Sequence, residues 1–166
     1  MKRLAQAQTK HRQEWIGVGS NCKHDCLDVS FPATQAQASV GIATLSARLA
    51  AHGLPESKAD DVKIALAEAI NNVVEHAYAG TAPADIQIDC SLCEKKLVIQ
   101  ISDTGSPMPG LRVPSGLLAS VDTALQDLPE GGFGWHLIHQ LTSDIQYERR
   151  GGGNLLCLRF DFDEMP

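Results

Sequence analysis

Glu68, Asn71, Asn72, Glu75 and His76 fall at i, i+3, i+4, i+7 and i+8 of the run Glu-Ala-Ile-Asn-Asn-Val-Val-Glu-His. In a helix that spacing gathers all five on one face. Leu66, Ile70, Val73 and Ala77 then lie on the opposite face and anchor the helix in a core. A stripe of carboxylates, amides and an imidazole can grip a cation. Plain solvation is the commoner reason for a polar helix face, but solvated faces favour Lys, Glu, Gln and Arg. Two adjacent asparagines in mid-helix cost on the order of several tenths of a kcal/mol each relative to alanine. Something other than helix propensity must compensate for them.

Two further features suggest the same chemistry. Asp103-Thr104-Gly105 follows a strand pattern, and a buried carboxylate there can accept a hydrogen bond from an exocyclic amine, while Gly105 lets backbone approach a flat ring. Gly131-Gly132-Phe133-Gly134 opens a helix. A glycine run at a helix start leaves N–H groups free, and the helix dipole adds positive potential, so a polyphosphate can sit there. Asn72 offers an uncharged oxygen to Mg2+, an ion that keeps several waters while bridging phosphates. Glu68, one turn earlier, is then placed to act as a base toward a hydroxyl or water near the terminal phosphate.

The elements that must position these residues can be read from periodicity. Leu27 to Phe31 reads as a strand closed by Pro32. Thr34 to His52 has helical spacing and stops at Gly53, and Pro55-Glu56-Ser57 opens the long helix with the polar stripe, which ends before Gly80. Ile86 to Leu92 and Leu97 to Ile101 alternate as a hairpin that runs into Asp103. Residues 106 to 130 are rich in Gly and Pro, with one short helical piece around Leu117 to Leu125, and read as a lid. Phe133 to Thr142 is a helix, and Ile145 to Glu148 with Leu155 to Phe162 is a last hairpin turning on Gly151, Gly152 and Gly153. The order predicts one layer of helices on one face of a mostly antiparallel mixed sheet, an α+β two-layer sandwich. The other sheet face is left to solvent or a partner.

At 166 residues the chain is one domain, read as residues 21–166 behind an arm of residues 1–20 in which Trp15 and Ile16 are anchors. A net charge of -6 without a Lys/Arg stripe argues against nucleic acid and anionic membrane as partners. No secretory leader or membrane span is evident, and five cysteines suit reduced thiols, so a cytoplasmic location is expected. Cys22, His24, Cys26, Cys90 and Cys93 could supply zinc ligands, yet Cys90 continues the strand alternation of Ile86, Ile88 and Leu92 and reads as core, with Cys93 at the turn beyond.

The set Glu68-x-x-x-Asn72-x-x-x-His76-Ala77-Tyr78, Asp103-x-Gly105 and Gly132-x-Gly134 before Leu137-Ile138 resembles the N, G1 and G2 boxes of the GHKL ATPases. Together with the late stretch Tyr147 to Asn154 it is similar, more narrowly, to the anti-sigma factor and serine kinase family of the RsbW and SpoIIAB type. The resemblance covers about residues 27 to 162. It implies the Bergerat ATP-binding fold, ATP and Mg2+ as cofactors, and phosphorylation of an anti-anti-sigma (STAS) protein, with a sigma factor as a second partner and a homodimer as one assembly. It also implies Asn72 as the Mg2+ ligand, Glu68 as the catalytic base, Asp103 as the reader of the adenine amine, and Gly132, Phe133 and Gly134 along the phosphates. His76 falls near the phosphates by the same alignment, and Arg112 is the candidate for a lid contact to the terminal phosphate. Pro107 departs from the family glycine, and Trp135 and His136 from its small or aliphatic residues. Pro107 favours an alternative, a nucleotide-dependent binding module without useful turnover. A histidine kinase half is disfavoured, because the first 50 residues offer no paired helices bearing a phospho-accepting histidine.

Overall fold

The computed structural model describes residues 26–116 and 132–162. The arm of residues 1–20, Cys22, His24, the helical piece around Leu117 to Leu125 and the lid beyond residue 116 lie outside them.

Alternating apolar residues form β1 (Cys26–Pro32), β2 (Asp85–Cys93), β3 (Lys96–Asp103), β4 (Asp144–Arg150) and β5 (Gly153–Asp161). They make one sheet in the order β1-β2-β3-β5-β4, antiparallel at every described pairing. The expected mixed character is therefore absent among the described strands: each neighbour in the sheet is reached by reversal, and β5 slots between β3 and β4. Leu27 faces Cys90, Cys90 faces Ile99, and Ile99 faces Leu158. All four are buried, and this row runs across the inner face of the sheet. The final hairpin turns on Gly151 and Gly152, both at positive φ, where a side chain would be strained.

Three helices pack on that inner face: α1 (Gln35–Ala51), α2 (Glu56–Asn72) and α3 (Gly132–Leu141), with α2 in contact with both of the others. Thr34 caps α1 by accepting from the Gln37 N–H. Leu45, Leu49, Leu66 and Ile70 from α1 and α2 are fully buried against the sheet, as is Ile138 of α3. Burying a Leu or Ile side chain contributes about 1.5–3 kcal/mol each, so this layer holds α2 in place while its far side stays polar. Among the described residues no helix is long and apolar enough to cross a membrane.

Cys90 is buried and outside any disulfide, as its alternation predicts. Cys157, on the outer face, is also free, and burial pushes its thiol up to about 11, partly offset by the hydrogen bond from Gln100. Cys93 corrects the expectation of reduced thiols: it lies within β2 and is disulfide-bonded. An odd total does not prevent one pair, because two sulfurs bond whenever the fold brings their Cβ atoms close enough. Among the described residues no group of three or more His, Cys, Asp or Glu could hold a metal ion.

Candidate functional site

The polar stripe begins on α2 and continues into a π-helical turn, Val73–Ala77, rather than the α-helix its spacing suggests. A π-turn inserts extra backbone into the helix and is common at functional sites. Val73 and Ala77 still reach the core. Glu68 and Asn72 are half-buried, while Asn71, Glu75 and His76 are exposed. The stripe thus divides into an inner pair, Glu68 and Asn72, and an outer group in water. The Asn72 amide nitrogen is buried without a hydrogen-bond partner. A buried orphan of this kind costs about 1–3 kcal/mol and marks a group held ready for something else.

The loop after β3 docks on the end of this helix. The Ser106 N–H donates to the Ala77 carbonyl at 2.7 Å, and the Thr104 N–H donates to the Tyr78 hydroxyl at 3.1 Å. Gly105 is fixed by that docking: a Cβ on it would lie 2.6 Å from the Ala77 carbonyl oxygen. Its missing side chain makes room for the helix backbone at Ala77.

A cavity of about 330 Å³ opens between the π-turn, this loop and the sheet. Its walls are apolar at Val73, Ala77, Met108, Trp135 and Leu156, with Pro107, Pro109 and Pro114 along the loop side. Polar groups converge at Asn72, His76, Asp103, Tyr147 and Asn154. An apolar slot with a few placed polar groups suits one flat heteroaromatic ring. Asp103 is 6% exposed, and its Oδ1 accepts from the Gly105 N–H and from Asn154 Nδ2, both at 2.8 Å.

Glu68, one helical turn before Asn72, lies against α3. A Cβ on Gly134 would lie 2.7 Å from Glu68 Oε2, so the glycine leaves room for the carboxylate at the first turn of that helix. Gly132 and Phe133 begin α3 beside it, with Phe133 59% exposed. The structure therefore brings together Asn72, His76 and Asp103 around the cavity and Glu68 and Gly134 at its edge. Arg112 is not brought in. It is exposed and does not line the cavity, and Gly110 lies beside its side chain, where a Cβ would come within 3.6 Å of Nε.

Sequence reasoning overlooked the roles of Tyr78, Tyr147, Arg149 and Asn154. For Asn154 a signal existed: it heads the inward alternation Asn154, Leu156, Leu158, Phe160, and a polar residue at the head of a core row needs a partner. Tyr78 and Tyr147 look like ordinary aromatics until their hydroxyls are seen to meet loop N–H groups.

Residues 31–160 match the histidine kinase-like ATPase domain family. The serine-protein kinase RsbW of Listeria monocytogenes is 30% identical over 139 residues, covering 82% of this chain and 88% of the relative. That of Oceanobacillus iheyensis is 27% identical over 143 residues, with 85% and 90% covered. Among solved structures, the RsbU and RsbW domains of Rv1364c from Mycobacterium tuberculosis superpose with a TM-score of 0.58 at 21% identity, over 82% of this chain and 32% of that one. The SiaB–SiaC complex from Pseudomonas aeruginosa gives 0.52 at 16% identity, over 95% and 96%. At those identities the solved structures speak for the fold alone.

Proposed function

The chain belongs to the histidine kinase-like ATPase domain family, and from that premise we propose that it is an anti-sigma regulatory factor that transfers phosphate from ATP to a serine of an anti-anti-sigma (STAS) partner. The observation that carries this reading is the placement of Glu68. Its half-buried carboxylate lies against the first turn of α3, one helical turn from Asn72, and Asn72 shares the wall of the cavity with Asp103. Adenine fits the apolar end, with the Asp103 carboxylate accepting from its amine, and the polyphosphate then runs toward the N–H groups at the start of α3. In this arrangement Glu68 accepts the proton of the serine hydroxyl as its oxygen bonds to the terminal phosphorus and the bond to ADP breaks.

The donors present fit Mg2+. Asn72 supplies an uncharged amide oxygen from a half-buried position in the cavity wall. Such a ligand suits an ion held mainly by phosphates and water. Bound there, Mg2+ would neutralise charge on the phosphates. His76 forms part of the cavity wall near Asn72 and contributes polarity at that end. The relatives' names supply the serine kinase activity proposed here, and a sigma factor is the second partner in the same switch.

One observation favours the alternative of a binding module. Pro107 stands in the cavity wall where the family carries glycine, and a proline there stiffens the loop around the ring. Incubation with γ-labelled ATP and a candidate STAS protein decides between the two. Glu68→Gln should lower serine phosphorylation by about 10²–10⁴ while leaving ATP affinity nearly intact. Labelling at the normal rate in that variant, or none from the wild type with ATP bound, overturns the kinase assignment.

A further inference from the structure

Asn154 stands at the start of β5, paired across the sheet with Asp103 at the end of β3, and both are buried. Its amide makes a complete set of contacts. Oδ1 accepts from the Tyr147 hydroxyl at 2.7 Å and from Arg149 Nη1 at 2.6 Å, while Nδ2 donates to Asp103 Oδ1 at 2.8 Å and to the Ser106 carbonyl at 3.0 Å. These partners dictate the amide's orientation. Exchanging its oxygen and nitrogen would set N–H against two donors and a carbonyl against a carboxylate. The network also grips the loop: Arg149 Nη1 donates to the Gly105 carbonyl at 2.9 Å, and the Met108 N–H donates to the Tyr147 hydroxyl at 3.1 Å.

The consequence falls on the Asp103 carboxylate. A carboxylate turns freely about its last torsion unless its oxygens are held. Here one oxygen is held twice, by the Gly105 N–H and by Asn154, which leaves the other as the acceptor available to the cavity. A fixed carboxylate acceptor favours a purine that presents an amine and opposes one that presents a carbonyl oxygen. We propose that Asn154, oriented by Tyr147 and Arg149, is a positioning residue that sets the adenine-over-guanine selectivity of this site by locking the rotation of Asp103. This rests on the reading of the cavity as an adenine site. It makes selectivity a property of a residue that need not touch the base.

The test is the ratio of ATP to GTP affinity, measured by calorimetry on the full chain for wild type, Asn154→Ala, Tyr147→Phe and the double variant, with thermal melts alongside. Asn154→Ala should lower the ratio by on the order of tenfold or more, because sites built around a specific hydrogen bond lose discrimination when it loosens. Tyr147→Phe should lower it less, and the double variant no further than Asn154→Ala, because Tyr147 acts through the amide. A purely structural role would weaken both nucleotides together and leave the ratio unchanged, and that result overturns the proposal. If Asn154→Ala fails to fold, an unchanged ratio in Tyr147→Phe overturns it equally. A wild type that binds neither nucleotide refutes the adenine-site reading instead, and is recognised by the absence of any ratio to measure.

Discussion

Alanine at position 134 should make this protein more stable and a slower kinase. Gly134 lies in the first turn of α3, and glycine in a helix is worse than alanine by up to about 1 kcal/mol. For a chain of this size that gain raises Tm by about 2–4 °C. The new Cβ would stand 2.7 Å from Glu68 Oε2, so the carboxylate must retreat by roughly 0.7 Å to reach the ordinary contact distance of 3.4 Å. The obstacle is the far end of a flexible side chain, which can move at small cost, so stability survives. Its function does not, since a misplacement of about 1 Å at a reacting group costs around 10²-fold. A shift of this size should slow single-turnover transfer to a serine by about ten- to a hundredfold with ATP affinity unchanged. In combination with Glu68→Gln, Gly134→Ala should add nothing, because the group it displaces is already inactive. A normal rate in Gly134→Ala refutes the placement of Glu68 as base, as does a rate loss that parallels a fall in Tm.

Asp103→Asn replaces a pure acceptor with a group that also donates, and should weaken ATP by about 1.5–3 kcal/mol in calorimetry, the worth of one charged hydrogen bond. Asn72→Ala should weaken ATP in the presence of Mg2+ and leave binding in excess chelator nearly unchanged, a contrast that titrations with and without EDTA would show. Gly105→Ala sets a Cβ 2.6 Å from the Ala77 carbonyl oxygen, which is backbone and cannot swing aside, so urea unfolding should show a loss of about 1–3 kcal/mol. Because burial raises the Cys157 thiol to about 11 against 9.0 in the open chain, the folded state holds this proton more tightly. Its contribution to stability is complete below pH 9 and declines as pH rises toward 11, and removing the thiol with Cys157→Ala should flatten that part of the stability profile.

Much of this architecture could be read from periodicity because the signals are local. Ile86, Ile88 and Cys90 alternate as a strand must, and Thr34 caps its helix through its own side chain. Asp103 and Glu68 stand out for a different reason: Glu68 belongs to a polar stripe on a helix anchored in the core, and Asp103 is a carboxylate where a strand pattern ends. The π-turn at Val73–Ala77 was not legible, since it arises from how the helix end meets the loop at Ala77 and Ser106, a contact between residues nearly thirty positions apart. Arg112 was singled out by charge alone, and charge does not say which way a loop folds; it is exposed here. The approach of the Ala77 backbone to Gly105 was not legible, because a glycine in sequence announces a close approach without naming what approaches.

The position of β5 has a consequence for the order of assembly. A chain made from its N-terminus completes α2 and β3 early, yet β4 has no described neighbour in the sheet until β5 is made and slots in between. Asn154, almost the first residue of β5, is also the partner that Asp103 waits for. A growing chain short of Gly153 therefore carries Glu68, Asn72 and Asp103 without the strand that sets the last of them. Pairings of such long sequence separation form late, because the intervening loop must first be closed. Nucleotide capture thus waits on that hairpin: the nascent protein gains its ligand only once β4 and β5 have both emerged and docked.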